Sequence, residues 1–513
     1  MNLNDPDTAR EELDRAVDSG NPESIAQIAM FHVWPLLNSH TEALIAAVSD
    51  LDPPVLERYP ALRIVHPMTA AIARTSRSAK PLLHSDNGRK MSPEEIDFVL
   101  LTQMIAFRVS GELEPALTFA KRLNDRITQT RVESRDRLDG PLWFFRLQIG
   151  ATLLAAGDTS DALLEFATAR QLGKLSAQQD AERTAVGRVA LAHAVRGALG
   201  DAQRALDRAR ELPAPSYAHA TASITTERAA AALIAADQLS ADLDEQLSLL
   251  EPYDANDLIW PFALLARCRA LLARDQPEHA LEALRLARGS HPVHPGSFAF
   301  DVISAASIKT LCITGDLTAA RRLADEARGA GILTSIASVH LLLRENRFDT
   351  AADELRLLTK NPTLGPAPRA ECALLGGWLE LARTEEVSID TALRVFRLVR
   401  NPDNARLLTT LPRQLVEAVH ARLPAELANE LESMTEGRSY FEMQIRPTLT
   451  QGELRVLNAL VTHSSTAEIA SSFFVSPNTI KSQLRSLYRK LDCNTREEAI
   501  SAGARLRFLS PTG

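Results

Sequence analysis

Apolar and polar residues alternate with a helical period over most of the first 430 positions. Segments such as LQIGATLLAAG and DTSDALLEFATARQL place apolar residues three or four positions apart, and short breaks separate one segment from the next. In each break a small or polar turn residue stands five positions before an Ala, or once an Ile, that opens the following helix. The instances are Gly20 with Ile25, Gly111 with Ala116, Gly157 with Ala162, Gly200 with Ala205, Ala236 with Ala241, Asp275 with Ala280, Gly315 with Ala320 and Asn346 with Ala351.

These breaks define an internal repeat of two helices. Between Gly111 and Asn346 six steps average about 39 residues, and single steps range from 31 to 46. One helical hairpin cannot bury its own apolar face, so hairpins with this period stack and cover one another. We therefore predict an all-α array that resembles a tetratricopeptide (TPR) superhelix, although its repeats are on average longer than about 34 residues and lack that family's aromatic residues at fixed offsets. An irregular Ala-rich helical bundle is the alternative interpretation.

The helical period lapses between residues 434 and 448, and Pro447 prevents a helix from continuing into the tail. A new series of short amphipathic segments begins at Leu449. We therefore predict three parts: a TPR-like sensor or interaction region over residues 1–433, a linker over 434–448 and a small domain over 449–513.

Four helix-start signatures divide the tail. They are TQGE from position 450, STAE from 465, SP from 476 and NTRE from 494. The helix that begins at 476 runs to 491 and places Ile480, Leu484, Leu487 and Leu491 on one face. Only about four residues, 472–475, separate it from the second helix. Two helices joined this closely are typical of a helix-turn-helix unit.

The tail also resembles a known family. The segment LTQGELRVLNAL, followed by TAEIASSFFVSPNTIKSQLRSLYRKLDCNTREEAISAG, is similar to the LuxR-type DNA-binding domain of NarL/LuxR/MalT regulators. It departs from the family pattern at Gly452, Ser464, Gln483 and Asp492, where Arg, Gly, His and Gly are usual. None of these departures removes a core residue.

The resemblance implies that the third helix, residues 476–491, is a recognition helix in the major groove of double-stranded DNA. The side chains expected to contact bases or phosphates are Asn478, Thr479, Lys481, Ser482, Gln483, Arg485 and Arg489. Helical spacing independently places Lys481, Arg485 and Arg489 opposite the apolar face. The fourth helix, over residues 495–507, resembles the dimerisation helix of the family, so we expect a homodimer on DNA.

Charge is unevenly distributed along the chain. The net charge is −8, but residues 447–513 hold eight Lys or Arg against five Asp or Glu, a net +3 that leaves −11 for the rest. Four of these bases and no acid fall within 476–491. Most charged helix faces are merely solvated, and a TPR-type interaction scaffold whose tail does not act on DNA is the alternative. Because such a scaffold does not need the basic stripe, the sequence favours a DNA-binding transcriptional regulator.

Other chemistry has little support in the sequence. The four cysteines lie at least forty residues apart, which disfavours a disulfide framework or structural zinc, and His291 and His294 belong to a Pro-rich loop. There is no phosphate-binding GxxxxGK[ST] motif and no Ser/His/Asp spacing that indicates catalysis. We expect no enzymatic activity, cofactor, metal site or membrane span. We expect a cytoplasmic, nucleoid-associated bacterial regulator whose array binds a protein, peptide or small-molecule effector.

Overall fold

The computed structural model describes residues 5–59, 62, 91–250, 258–436, 449–491, 493–505 and 508–509, and the regular elements in these ranges are all helical. The first helices are α1 (Pro6–Asp18), α2 (Pro22–Phe31), α3 (Val33–Ser39), α4 (Thr41–Ser49) and α5 (Pro53–Arg58). The next are α6 (Pro93–Val109), α7 (Leu113–Gln129), α8 (Glu133–Asp136), α9 (Leu142–Ala155), α10 (Thr159–Leu175), α11 (Ala181–Arg196), α12 (Leu199–Glu211), α13 (Tyr217–Gln238) and α14 (Leu243–Ser248). They confirm the all-α prediction for the described part of the chain.

The helical region continues without a change of type as far as residue 435. It contains α15 (Trp260–Ala273), α16 (Pro277–Ser290), α17 (Phe298–Thr314), α18 (Leu317–Glu326), α19 (Ile332–Arg344), α20 (Phe348–Thr359), α21 (Pro366–Thr384), α22 (Ile389–Arg400), a 3-10 turn (Pro402–Asn404), α23 (Ala405–Leu408), α24 (Arg413–Arg422) and α25 (Ala425–Thr435). The tail contains α26 (Gln451–Thr462), α27 (Thr466–Phe473), α28 (Pro477–Leu491) and α29 (Arg496–Arg505).

Pairs of helices stack along residues 93–400 to form the array. In each pair an inner helix packs against its outer partner and against the inner helix of the next pair. The inner helices are α6, α9, α11, α13, α15, α17, α19 and α21, and the outer helices are α7, α10, α12, α14, α16, α18, α20 and α22. Inner helices such as α11 are buried around most of their circumference, whereas outer helices such as α12 bury one stripe. The predicted array of helical hairpins is confirmed.

The turns within the pairs depend on a left-handed residue at the end of the inner helix. The predicted turn residues Gly111, Gly157, Asp275, Gly315 and Asn346 all have positive φ, as does Gly20 before the array. At four of these turns in the array the next backbone N–H donates to a carbonyl five residues earlier, for example from Glu112 to Phe107. This bond satisfies a carbonyl that the end of the helix would leave without a partner.

Two of the predicted turn residues were wrong. Gly200 and Ala236 lie inside α12 and α13, and the positive φ belongs to Gly197 (77°) and Leu239 (51°). The residue five positions after Gly197 is Ala202, which is fully buried and fits the predicted spacing. Gly197 is required there, since a Cβ would lie 2.2 Å from the Cβ of Ala367.

Inner helices also contact helices that are distant in sequence. Contacts join α9 to α17, α11 to α21, and α13 to α23. We call this set of contacts the closure seam. It includes the approach of Gly197 to Ala367 and an ion pair from Asp237 to Arg406, two residues 169 positions apart. The seam therefore joins parts of the array that are several repeats apart in sequence.

The tail has a small core of its own. The apolar faces of α26, α27, α28 and α29 converge on Leu457, Ile469, Leu487 and Ala499, each with no exposed surface. This arrangement confirms the four short amphipathic helices predicted from the capping signatures. Helix α25 ends at Thr435, two residues into the stretch predicted as a linker, and residues 437–448 of that stretch lie outside the described residues.

Two further observations concern membrane-spanning helices and metal sites. Within the described ranges, no helix has the length and apolar character needed to cross a membrane. No cluster of three His, Cys, Asp or Glu suitable for a metal ion occurs in the same ranges. The His291 ring stacks on Trp260 at a centroid distance of 4.4 Å, so packing accounts for its place in the Pro-rich loop.

Candidate nucleic-acid interface

The caps of the tail helices match the sequence signatures with one exception. Thr450 and Glu453 form a reciprocal capping box at the start of α26, and Ser465 accepts the backbone N–H of Glu468 at the start of α27. Ser476 accepts the N–H of Thr479 at 3.2 Å, so the Ser-Pro signature begins α28 as predicted.

The cap of the fourth helix was misassigned by one residue. Thr495, rather than Asn494, accepts the backbone N–H three positions on, from Glu498 at 3.2 Å. The Glu498 carboxylate in turn accepts the backbone N–H groups of Asn494 and Thr495. Either register satisfies a Ser/Thr/Asn-x-x-Glu pattern, and the hydroxyl cap gives the reciprocal box. Helix α29 therefore begins at Arg496 instead of 495 and is described as far as Arg505, while position 507 lies outside the described residues.

Glu453 links α26, the first helix of the tail, to α28. It is 5% exposed and accepts hydrogen bonds from the Ser486 hydroxyl and the Lys490 ammonium, both at 2.8 Å. Burial alone would raise the pKa of Glu453, but the donors from Lys490, Thr450 and Ser486 outweigh it and lower the pKa to about 2. The carboxylate is therefore ionised at neutral pH and fixes how far α28 stands from α26.

The turn between α27 and α28 is short because Phe474 adopts a left-handed conformation. Its φ is 56°, and the following N–H, from Val475, donates to the carbonyl of Ala470 at 3.0 Å. Positive φ is uncommon for a side chain with an aromatic ring. The Phe474 ring remains 96% exposed, so burial of the ring does not compensate for this backbone strain. The turn places the start of α28 at the surface.

Helix α28 has one buried face and one exposed face. Ile480, Leu484, Leu487 and Leu491 are buried, as the spacing predicted. The exposed residues of the predicted DNA-binding set are Asn478, Thr479, Lys481, Ser482, Arg485 and Arg489. Lys481, Arg485 and Arg489 lie one turn apart along an open groove of about 570 Å³, which Tyr488 and Asn494 also line. None of these three cations forms an ion pair with a described residue.

Gln483 differs from the rest of the predicted set. It is half-buried, and a Cβ placed on Gly452 would lie 2.9 Å from its side-chain nitrogen Nε2. The amide group of Gln483 therefore lies over the first turn of α26. The two departures from the family pattern, Gly452 and Gln483, are adjacent in space, and the absence of a side chain at 452 makes room for the amide.

Three bases of the tail serve the fold instead of the exposed face. Lys490 is bound to Glu453 as described, and the Arg455 guanidinium lies 4.6 Å from the centroid of the Phe473 ring. Arg496 donates to the backbone carbonyls of Ser464, Leu460 and His463, where α26 ends. Lys490 is one of the four bases within 476–491, but it lies outside the row of Lys481, Arg485 and Arg489 that helical spacing predicts to be exposed.

The tail has a short turn followed by a helix with an exposed basic face. Known proteins with a similar sequence support the same assignment. Residues 447–502 match the model of the family described as bacterial regulatory proteins, luxR family. The chain is also 36% identical over 59 residues to the spore germination protein GerE of Bacillus subtilis (strain 168), a match that covers 12% of this chain and 80% of GerE. The chain belongs to the luxR family. Its tail is a LuxR-type helix-turn-helix domain, the DNA-binding domain of transcription regulators.

The luxR family match accounts for the tail alone. It begins at 447 and ends at 502, within α29. The array that precedes it is larger by several fold and lies outside the match. What the array binds must therefore be inferred from its own residues.

Proposed function

We propose that this luxR-family chain is a sequence-specific transcriptional regulator in which α28 lies in the major groove of double-stranded DNA. The observation that carries the proposal is the exposed row of Lys481, Arg485 and Arg489, without an ion-pair partner among the described residues. Phosphates and the acceptor edges of guanine are the groups in DNA that such a row recognises. The row projects from a helix that Glu453 and the apolar face hold in place.

The residues divide by their position on α28. Asn478 and Thr479 lie exposed at its N-terminus, where short polar side chains meet phosphates. Lys481, Ser482 and Arg485 face outward one turn later and are assigned to base edges or the neighbouring phosphates. Arg489 extends the contact along the backbone, and Gln483 contributes a single amide donor from its place beside Gly452.

The chain acts on DNA as a homodimer in this proposal. One tail domain is small, and two half-sites bound together multiply modest affinities. Helix α29 supports this role because Ser501 and Ala504, both small and exposed, leave its outer face open to close helix packing.

The proposed domain organisation is an array over residues 1–433, a linker over 434–448 and the LuxR-type domain over 449–513. The separate core of the tail supports it. In this organisation the array binds an effector and the tail binds DNA.

The test removes two cations from the exposed row. A DNA target is first selected from a random-sequence library by the full-length protein, and affinity is then measured by fluorescence anisotropy. Lys481→Ala with Arg485→Ala is expected to weaken binding at least about 30-fold, since each good base contact is worth about 1–3 kcal/mol.

The matched control is Arg285→Ala with Arg328→Ala, two exposed residues of the array. It removes the same charge and should change affinity less than about twofold. If both double variants bind as the wild type does, α28 is not the reader and the tail serves an interaction scaffold. Binding that is insensitive to salt would lead to the same conclusion, because phosphate contacts release counterions.

A further inference from the structure

A cavity lies beside the closure seam, between inner helices α15, α17, α19 and α21 and the short helix α23. It offers about 100 Å³ of room for the centres of water-sized molecules. One buried water needs roughly 10–15 Å³ on the same measure. The cavity therefore has space for a small organic molecule of about seven to ten non-hydrogen atoms.

Charged side chains from both sides of the seam line part of the cavity. Asp237 bridges two buried guanidinium groups, Arg269 at 2.9 Å and Arg406 at 2.6 Å. Lys309 forms a second ion pair, with Glu371. Three cations thus share two carboxylates, and this excess of one positive charge is held in a largely buried place.

A fourth cation, Arg344, lines the same cavity and adds to the positive potential. The neutral state of His340 agrees with this potential, because burial together with Arg344 and Lys309 lowers the pKa of that imidazole to about 3. Burial would raise the pKa of Glu371, but the charges of Lys309, Arg406 and Arg269 lower it to about 2. The cavity therefore attracts anions while its own carboxylate stays ionised.

Apolar side chains form much of the remaining wall. They include Leu265, Leu272, Val302, Ala306, Ile313 and Leu333. Ile313 is 37% exposed, so this lining residue also reaches solvent. A pocket with apolar walls and a few convergent charged groups is the usual form of a small-molecule site.

We propose that this cavity binds a small monocarboxylate with an aliphatic or aromatic body as the effector of the array. The proposal rests on the proposed function, in which the array receives a signal. Guanidinium groups match the carboxylate in shape, and the apolar wall covers the hydrocarbon part. A phosphate ion would fill only about half of the room for non-hydrogen atoms and leave the apolar wall uncovered. A peptide exceeds the volume.

The position of the cavity links occupancy to the architecture of the array. Arg269 and Lys309 belong to α15 and α17, whereas Arg406 belongs to α23 across the seam. A bound carboxylate adds an acceptor to cations from both sides. Binding would therefore strengthen the closure seam, and this is a change in the array that a ligand can control.

The experiment is isothermal titration calorimetry of the full-length protein with hexanoate and benzoate. Neutral hexanol and inorganic phosphate serve as comparison probes. We expect one saturable site per chain with a dissociation constant of about a millimolar or tighter for a carboxylate of this size. Hexanol and phosphate should bind at least tenfold more weakly.

Two variants locate the site. Arg344→Met removes a cation of the wall, and Ile313→Trp fills the cavity with a larger side chain from a partly exposed lining position. Each should weaken hexanoate binding at least tenfold with the helical circular dichroism unchanged. The matched control is Arg347→Met, an exposed side chain three residues from Arg344, and it should bind hexanoate as the wild type does.

Each other result contradicts the proposal. Failure of both carboxylates to bind at about 10 mM, or equal binding by all three variants, would exclude this cavity as a carboxylate site. Hexanol binding as tightly as hexanoate would remove the role of the cations, and tighter phosphate binding would change the ligand class. DNA is absent from the titration, so these failures leave the role of α28 untouched. Failure of the DNA test likewise leaves the titration intact.

Discussion

The helical array and the LuxR-type domain use their basic side chains in opposite ways. In the array, Arg269 and Arg406 are buried and share the carboxylate of Asp237. In the tail, Lys481 and Arg485 are exposed and have no ion-pair partner among the described residues. Net charge therefore says little about what a protein binds. A buried cation is first compensated by a carboxylate of the fold, to which the proposed ligand would add, whereas the exposed row has no such partner and is available to an anion from outside the chain.

Removal of the carboxylate that Arg269 and Arg406 share should destabilise the protein most. Asp237→Asn leaves two buried guanidinium groups without their hydrogen-bonded carboxylate, and we expect the free energy of unfolding to fall by about 3 kcal/mol or more. Urea denaturation of the full-length protein followed by circular dichroism measures it. The control is Asp353→Asn, which breaks the surface pair with Arg356 and should lower stability by less than about 1 kcal/mol. Equal losses would mean that the seam is not held by charge.

An intermediate effect is expected at Glu453, a tail carboxylate that is buried and ion-paired like those of the array. Its folded pKa of about 2 lies below the ordinary 4.5, so its ionised form stabilises the fold above pH 4.5. That contribution, about 3 kcal/mol, is lost as the pH falls from 4.5 towards 2. Glu453→Gln should therefore destabilise the tail at pH 7 and by about half as much or less at pH 3.

Hydrogen exchange of peptides from α26 and α28, read by mass spectrometry at both pH values, measures the loss at Glu453. Glu497→Gln, an exposed residue of α29, provides the control and should change protection little at either pH. A loss of protection that is the same at pH 7 and pH 3 would show that the charge of Glu453 does not matter.

The smallest effect concerns Gly452 and separates Gln483 from the exposed row. Gly452→Ala removes a flexible residue from the first turn of α26 and should stabilise the tail by about 0.5 kcal/mol. The added Cβ must also displace the flexible end of Gln483, which lies 2.9 Å away. We expect DNA affinity to fall a few-fold, the value of one hydrogen bond. Unchanged affinity would remove Gln483 from the DNA contacts.

Much of the fold could be predicted because its signals are local. The turn residues Gly111 and Asn346 ended helices as expected, since both tolerate positive φ. Gly200 misled the prediction because a second glycine, Gly197, stands three positions earlier and takes the turn. What singles out Gly197 is its contact with Ala367, and no local pattern contains that information.

The candidate site follows the same rule. Caps and periodicity predicted α28 and its outward residues, because both depend on spacing within one segment. Two other features depend on how α26 and α28 pack. They are the pairing of Lys490 with Glu453, across 37 positions, and the position of Gln483 beside Gly452. Tertiary contacts of this kind decide which members of a periodic stripe remain available.

The closure seam has a consequence for how the array folds. In an open solenoid each repeat contacts only its neighbours, so repeats can melt one after another from the ends. Here α11 rests on α21 and α13 on α23, and their contacts join residues up to 169 positions apart. Such contacts raise the contact order, which slows folding and couples distant repeats into one cooperative transition. Deleting the last hairpins would therefore destabilise the middle of the array as well as its end.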